Sequence, residues 1–302
     1  MMRPARCGVP PEMRYRVKHA TRYAYARAVD LGTHMLHLSP RSLPWQRVVS
    51  ARLTADPVPT LVTEGVDHFG NPVSWMALDL PHDRFDVTLE AVVEVEFPIP
   101  PPAATTVAWE LVAEAAQVGG ADAWESAEFA FDSPMAPADA GAGAYAAVSF
   151  PPGRPVLAGL LDLTARIRRE FTFKSGVTTI STPVSRVLAQ RAGVCQDFTH
   201  LMIAGLRALG LPARYVSGYL RTRPPPGQTP RQGADQSHAW VGAWLGPAHG
   251  WVDLDPTNNL VVRDEHVVLA WGRDYADVSP IRGIILGGGS HSVTVGVDLA
   301  PV

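Results

Sequence analysis

The chain has 302 residues, room for two domains or one large one, each able to bury a core of its own. Its 26 Lys and Arg against 29 Asp and Glu leave a net charge of -3, with 46% apolar and 18% charged residues. That is an ordinary water-soluble composition, and it implies neither a nucleic-acid partner nor an anionic membrane surface. Only two cysteines occur, Cys7 and Cys195, so no disulfide framework is expected and a reducing cytoplasm is the natural compartment. No apolar run approaches the roughly 18 residues of a membrane span, and the opening MMRPARCGVPPEMRY lacks the apolar stretch of a secretory signal.

After a tail expected to be flexible (1–14), residues 15–97 read as short alternating runs broken by turns: YRVKHATRYAY, VVSARLTADP, NPVSWMALDL and FDVTLEAVVEVEF. This predicts a β domain. In the last run Val87, Leu89, Ala91, Val93 and Val95 share one face, while Thr88, Glu90, Glu94 and Glu96 fall mostly on the other. The segment DHFGN (67–71) suits a hairpin turn. A Pro-rich joint, PIPPPAATT, then opens an Ala- and Gly-rich connector over 98–153, with helical segments expected near 108–117 and 134–148. A firmer helix follows over 154–169, with Val156, Leu160, Leu163 and Ile167 at helical spacing, and begins a second domain spanning 154–302.

That second domain reads helix first, strands after. RAGVCQDFTHLMIAGLRALGLP puts Phe198, Leu201 or Met202, Gly205 and Leu209 on one stripe, and Gly210 and Pro212 end the helix. ARYVSGYL, SHAWVGAWL and GWVDLDPTNN follow as strands, the first two separated by a proline-rich loop over 222–233.

Cys195 falls in the first turn of this helix, where unpaired N–H groups and the helix dipole favour the thiolate. A lone Cys is more often a small buried hydrophobe. Gly193 before it and the polar Gln196-Asp197 after it shift the balance toward chemistry, Gly193 by letting the backbone approach a substrate carbonyl. His238, at a strand start and on one face with Trp240 and Trp244, supplies a base or else caps an aromatic cluster. Asp253 and Asp255 share a face of the next strand, and either could hold the imidazole, although Asp255 also precedes Pro256 as a turn former would.

Together the segments GVCQDFTHLMIAGLRALGLPARYVSGYL, SHAWVGAW and GWVDLDPTNN resemble the transglutaminase-like core of bacterial transglutaminase-family proteins, whose superfamily is similar to papain. HATRYAY, HLSPR and DHFGNPVSW resemble the β domain that precedes that core, and WGRDYADVSPIRG its carboxy-terminal signature. The resemblance implies an α+β fold with a helix packed on an antiparallel sheet, preceded by a β-sandwich-like domain. It implies Cys195 as nucleophile, His238 as base and Asp255, rather than Asp253, as the orienting carboxylate. The implied activity is acyl transfer on amide bonds, as a peptidase- or amidase-type hydrolase, with a glutamine-to-amine transferase or a catalytically silent peptide-binding module as alternatives.

The expected partner is a peptide or protein amide, no metal or organic cofactor is required, and nothing in the pattern specifies an oligomer. His19, His34, His37, His68 and His82 show no metal-ligand spacing. His200 points about 140° away from Cys195 and is assigned to structure. Tyr215, Tyr219 and Asp235 suit either the cleft lining or packing and loop roles and are left out of the catalytic set, and Asp274 and Asp277 suit support or the cleft rim. Trp240, Trp244 and Trp251 are expected to keep water from the site.

Overall fold

The computed structural model describes residues 13–118, 124–222 and 236–302. The amino-terminal tail with Cys7, most of the loop after Thr222, and Asp235 lie outside the described residues. The amino-terminal strands are β1 (Met13–Leu36), β2 (Gln46–Asp56), β3 (Leu61–Val66), β4 (Pro72–Leu78) and β5 (His82–Val95). Helices α1 (Trp109–Val118), α2 (Trp124–Ala127), α3 (Ala140–Ala147) and α4 (Val156–Glu170) follow, then β6 (Thr172–Phe173), α5 (Val184–Gln190) and β7 (Ala192–Gly193). The remainder is α6 (Cys195–Ala208), β8 (Ala213–Leu220), β9 (Gln236–Trp244), β10 (Trp251–Asp255), β11 (Leu260–Val261), β12 (His266–Gly272), α7 (Tyr275–Val278), β13 (Ile281–Gly287) and β14 (His291–Pro301).

Alternation in β5 decides which side of the first sheet is core: Val87, Leu89, Ala91, Val93 and Val95 are all buried and Glu90 is exposed. Glu94 departs from the pattern and is buried, held by Arg47 and Arg14. The DHFGN turn joins β3 to β4 as expected. Gly70 takes a φ of 71° there and donates its N–H to the Asp67 carbonyl at 3.0 Å.

Strand β1 organises this sheet because its 24 residues exceed the reach of any one partner. Its first half pairs with β5 on one edge and β14 on the other; its second half pairs with β4 and β13. The sheet, of seven strands among the described residues, curls so that Leu36, Met76 and Leu78 from one half meet Phe85 and Val87 from the other in a small core of their own. The expectation that the carboxy-terminal strands belong with the 154–302 core is corrected here. β13 and β14 leave that core to satisfy the open edge of β1, which would otherwise present unpaired backbone groups to solvent.

The second sheet is antiparallel in the order β11-β10-β9-β8-β12, and α6 packs on β8 and β9. Gly210, at φ 77°, closes α6 in the manner its sequence predicts. The stretch read as a connector is packed structure. Its small residues let α3 approach α6 closely: a Cβ on Gly143 would lie 2.7 Å from Ala208 Cβ, and one on Gly205 would lie 2.9 Å from the Ala142 carbonyl oxygen. One continuous apolar core runs from Tyr15 and Leu89 through Leu160 and Leu201 to Trp240 and Val297.

The two sheets are clasped at the edge strand β12. The Gln46 side chain donates to the Val268 carbonyl at 2.8 Å and accepts the Val268 N–H at 2.7 Å. Asn71 does the same at Trp271, at 2.8 and 2.9 Å. Two amide side chains thus stand in for a further strand. No helix among the described residues is long and apolar enough to cross a membrane.

Gly205→Val should overpack the α3–α6 contact and cost about 2 kcal/mol. Urea unfolding would report this as a lower midpoint at unchanged slope.

Candidate active site

Helix α6 begins at Cys195 because Asp197, its third residue, reaches back to accept the Val194 N–H at 2.7 Å, closing the first turn. The same carboxylate oxygen accepts the Thr178 hydroxyl at 2.7 Å. Burial raises the Asp197 pKa against these two bonds. Gly193 is required for this cap: a Cβ there would lie 2.7 Å from the Asp197 carboxylate. Cys195 itself stays partly accessible.

β9 brings His238 to the cysteine. The imidazole and the thiol line one cleft of about 1160 Å³, and the sulfur lies close enough to help raise the His238 pKa. His238 Nε2 lies 2.7 Å from Asp255 Oδ2 on β10, which leaves Nδ1 for the sulfur. Asp255 is fully buried and richly satisfied. Its Oδ2 also accepts Asn258 Nδ2 at 2.7 Å, with His266 Nε2 at 3.5 Å, while Oδ1 accepts the N–H groups of Thr257 and Asn258 at 2.9 and 3.1 Å.

Burial favours the neutral form of His238, but the hydrogen bonds and charges of Asp255 and Cys195 outweigh it and push the ring up to about 10. Burial likewise opposes the Asp255 anion, yet the bonds from His238, His266 and Asn258 hold it well below the usual carboxylate range. The three residues chosen from sequence are therefore brought together.

Asp253, the alternative left open by strand periodicity, is occupied elsewhere. It accepts Trp240 Nε1 at 2.9 Å and faces buried Arg214 at 3.8 Å. His200 is structural, as assigned: it is buried, and Nε2 accepts the Tyr275 N–H at 3.2 Å. Asp274 caps α7 and also accepts the Met135 N–H, and Asp277 pairs with Arg273. The tryptophans are corrected: none of Trp240, Trp244 and Trp251 lines the cleft, and Trp240 stands beside His238 with ring centroids 6.2 Å apart. His238, Asp255 and His266 place three ligand-type atoms within 4.8 Å of one another. A cation there would displace the bonds that orient His238, and those bonds account for the grouping.

Residues 15–94 match the bacterial transglutaminase-like N-terminal region, and residues 152–256 match the transglutaminase-like superfamily. The Mycobacterium tuberculosis protein Rv2569c is 44% identical over 294 residues, covering 95% of this chain and 93% of that one. The Mycobacterium leprae protein ML0607 is 32% identical, covering 95% and 98%. This chain belongs to the bacterial transglutaminase-like family. A crystal structure from Cytophaga hutchinsonii, described as a putative cysteine protease, shares its fold at a TM-score of 0.74 over 97% of this chain and 92% of that one, at 23% identity. A protein-glutamine gamma-glutamyltransferase of Pseudomonas aeruginosa is 34% identical over 100 residues, 30% of this chain and 15% of that one.

Two features of this transglutaminase-like protein are decided only by the structure. Tyr215 on β8, for which the sequence leaves cleft lining and packing both open, lines the cleft with Cys195. Its hydroxyl neither bonds another described residue nor ranks among the sealed polar atoms that lack a partner. Burial, then the charge on Cys195, push the phenol well above its ordinary value, so it remains a donor. The second feature is that His19, Thr21 and Tyr23 of β1 and Val293, Val295 and Val297 of β14 also line this cleft. Strand alternation gives their faces but not what those faces meet.

Because the folded pKa of His238 lies above the unfolded value near 6.5, the stability carried by its proton is whole below about pH 6.5 and gone above about pH 10. Asp255→Asn should flatten that fall and bring the His238 midpoint down by more than about one unit. Urea unfolding across pH, with histidine NMR titration, would check both.

Proposed function

We propose that the protein is a cysteine-nucleophile acyl-transfer enzyme acting on amide bonds, running as a peptidase- or amidase-type hydrolase in a reducing cytoplasm. Cys195 is the nucleophile, His238 the base and acid, and Asp255 the carboxylate that orients the imidazole. The observation that carries this reading is the 2.7 Å contact between His238 Nε2 and buried Asp255, which turns the other ring nitrogen to a thiol at a helix start. Membership in a family of cysteine-dependent enzymes supports it.

The thiolate of Cys195 attacks the carbonyl carbon, and the carbonyl electrons move to oxygen. The backbone N–H of Cys195 and the Tyr215 hydroxyl meet that oxyanion. As the C–N bond breaks, the imidazolium of His238 gives its proton to the leaving amine, and a thioester remains. His238, now neutral, takes a proton from water, hydroxide adds to the thioester carbon, and the acid leaves as the thiolate and imidazolium are restored.

The similarity to the Pseudomonas aeruginosa glutamyltransferase favours a second reading, in which an amine replaces water. Water near 55 M prevails in a cleft without a dedicated amine site, and hydrolysis is therefore the first choice.

Cys195→Ser and His238→Ala should each lower acylation by about 10³-fold or more, measured by mass spectrometry of the thioester formed from activated peptide esters. Amine incorporation above the hydrolytic background would select the transferase. Tyr215→Phe should lower kcat by about 10²-fold with KM nearly unchanged; an unchanged kcat removes Tyr215 from the oxyanion site.

A further inference from the structure

The cleft has a wall that the catalytic core does not supply. β1 and β14 pair with Tyr23 opposite Val293, Thr21 opposite Val295 and His19 opposite Val297. Residues directly opposite on an antiparallel ladder share a face, and these six all look onto the cleft that holds Cys195 and His238. The inner end of this face is closed, with His19 and Val297 each 1% exposed. The outer end is open, with Val293 at 46% and Val295 at 51%. On the nucleophile's side Ile180 is exposed as well, and its carbonyl is held by the Gln196 side chain at 3.2 Å. Single apolar side chains on a surface are ordinary, but several lining one opening beside a reactive group make a binding surface.

The wall is also uncharged. Burial lowers the His19 pKa to about 4, and both its ring nitrogens are engaged, by the Tyr219 hydroxyl at 2.8 Å and the Thr21 hydroxyl at 2.9 Å. Among the described lining residues there is no carboxylate, and Arg282 is the one side chain charged at every working pH, apart from the Cys195–His238 pair. A charged group brought against the β1–β14 face would lose hydration with no opposite charge on that face to replace it.

We propose that the β1–β14 ribbon is the acyl-group subsite: it seats the apolar side chain of the acyl donor while Cys195 attacks, and so selects aliphatic and aromatic acyl residues over charged ones. This rests on Cys195 being the nucleophile. The amino-terminal sheet is then half of the active site and not a separate module.

The test uses N-acetyl amino-acid p-nitrophenyl esters, which share one leaving group, with Leu, Phe, Asp or Lys as the acyl residue and the Cys195→Ser variant as blank. The Leu and Phe esters should exceed the Asp and Lys esters in kcat/KM by roughly tenfold or more. Val295→Asp and Val293→Asp, at exposed positions where folding tolerates a charge, should lower kcat/KM for the Leu ester by a similar factor and narrow the preference. Val58→Asp, at an exposed position outside the cleft, should change neither. Iodoacetamide labelling of Cys195 should proceed alike in all three Asp variants. Acylation of Cys195 at equal rates by all four esters, unaltered in Val295→Asp, would overturn the subsite and leave the nucleophile standing. Failure of every ester to acylate Cys195 would overturn both.

Discussion

The site depends on a carboxylate kept ionised where water does not reach. Asp255 is fully buried, and an unpaired anion there would be costly enough to take up a proton. It avoids this by dividing its oxygens. Oδ1 takes the two backbone N–H groups of the turn that follows, and Oδ2 takes the side chains of His238 and Asn258. The two meanings that an Asp-Pro pair carries in sequence, turn former and imidazole partner, are therefore both fulfilled by one residue. The turn fixes the carboxylate, the carboxylate fixes the ring, and the ring's other nitrogen is left free in the cleft that Cys195 lines.

A ring aimed at a helix start is useful only if helix and sheet hold a fixed distance, and the packing around them provides it. Glycines on α3 and α6 let those helices meet backbone to backbone, which seats α6 against β8 and β9. Behind β9, Trp240 covers Gly218, where a Cβ would lie 2.3 Å from the indole. Farther back, Arg214 stacks between Trp251 and Trp271, with Arg41 on the outer face of Trp271 at 3.6 Å. Arg41 comes from the amino-terminal region, so this cation–π ladder ties the first sheet to the second. The tryptophans work here as scaffold and do not line the cleft.

What was legible in the sequence is what local chemistry encodes. The start and stop of α6, the strand carrying His238 and the turn after Asp255 each have signals within a few residues, while the association of Cys195, His238 and Asp255 comes from the resemblance of their segments to the transglutaminase-like core. The rest is non-local. β13 and β14 read as strands, but their partner β1 lies more than 240 positions earlier, and no periodicity names a partner. The Ala- and Gly-rich stretch before α4 looks like a linker because small residues give little hydrophobic contrast, yet smallness is what close helix packing needs. Tyr215 stays open between packing and cleft lining in the sequence because its ring serves the one and its hydroxyl the other.

These non-local pairings bring β1 and β14 together to the cleft. β1 and β14 could satisfy each other's backbone anywhere on the surface. They are held at the cleft because Gln46 and Asn71 fasten the first sheet to β12, and His19 spans the sheets through its bond to Tyr219 of β8. Tyr219 neighbours Gly218, which pairs with His238. The strand that supports the imidazole therefore also anchors the opposite wall. The bond from His19 to Tyr219 and the pairing of Gly218 with His238 couple the two sheets, so a change in how the first sheet docks reaches the site without touching Cys195, His238 or Asp255.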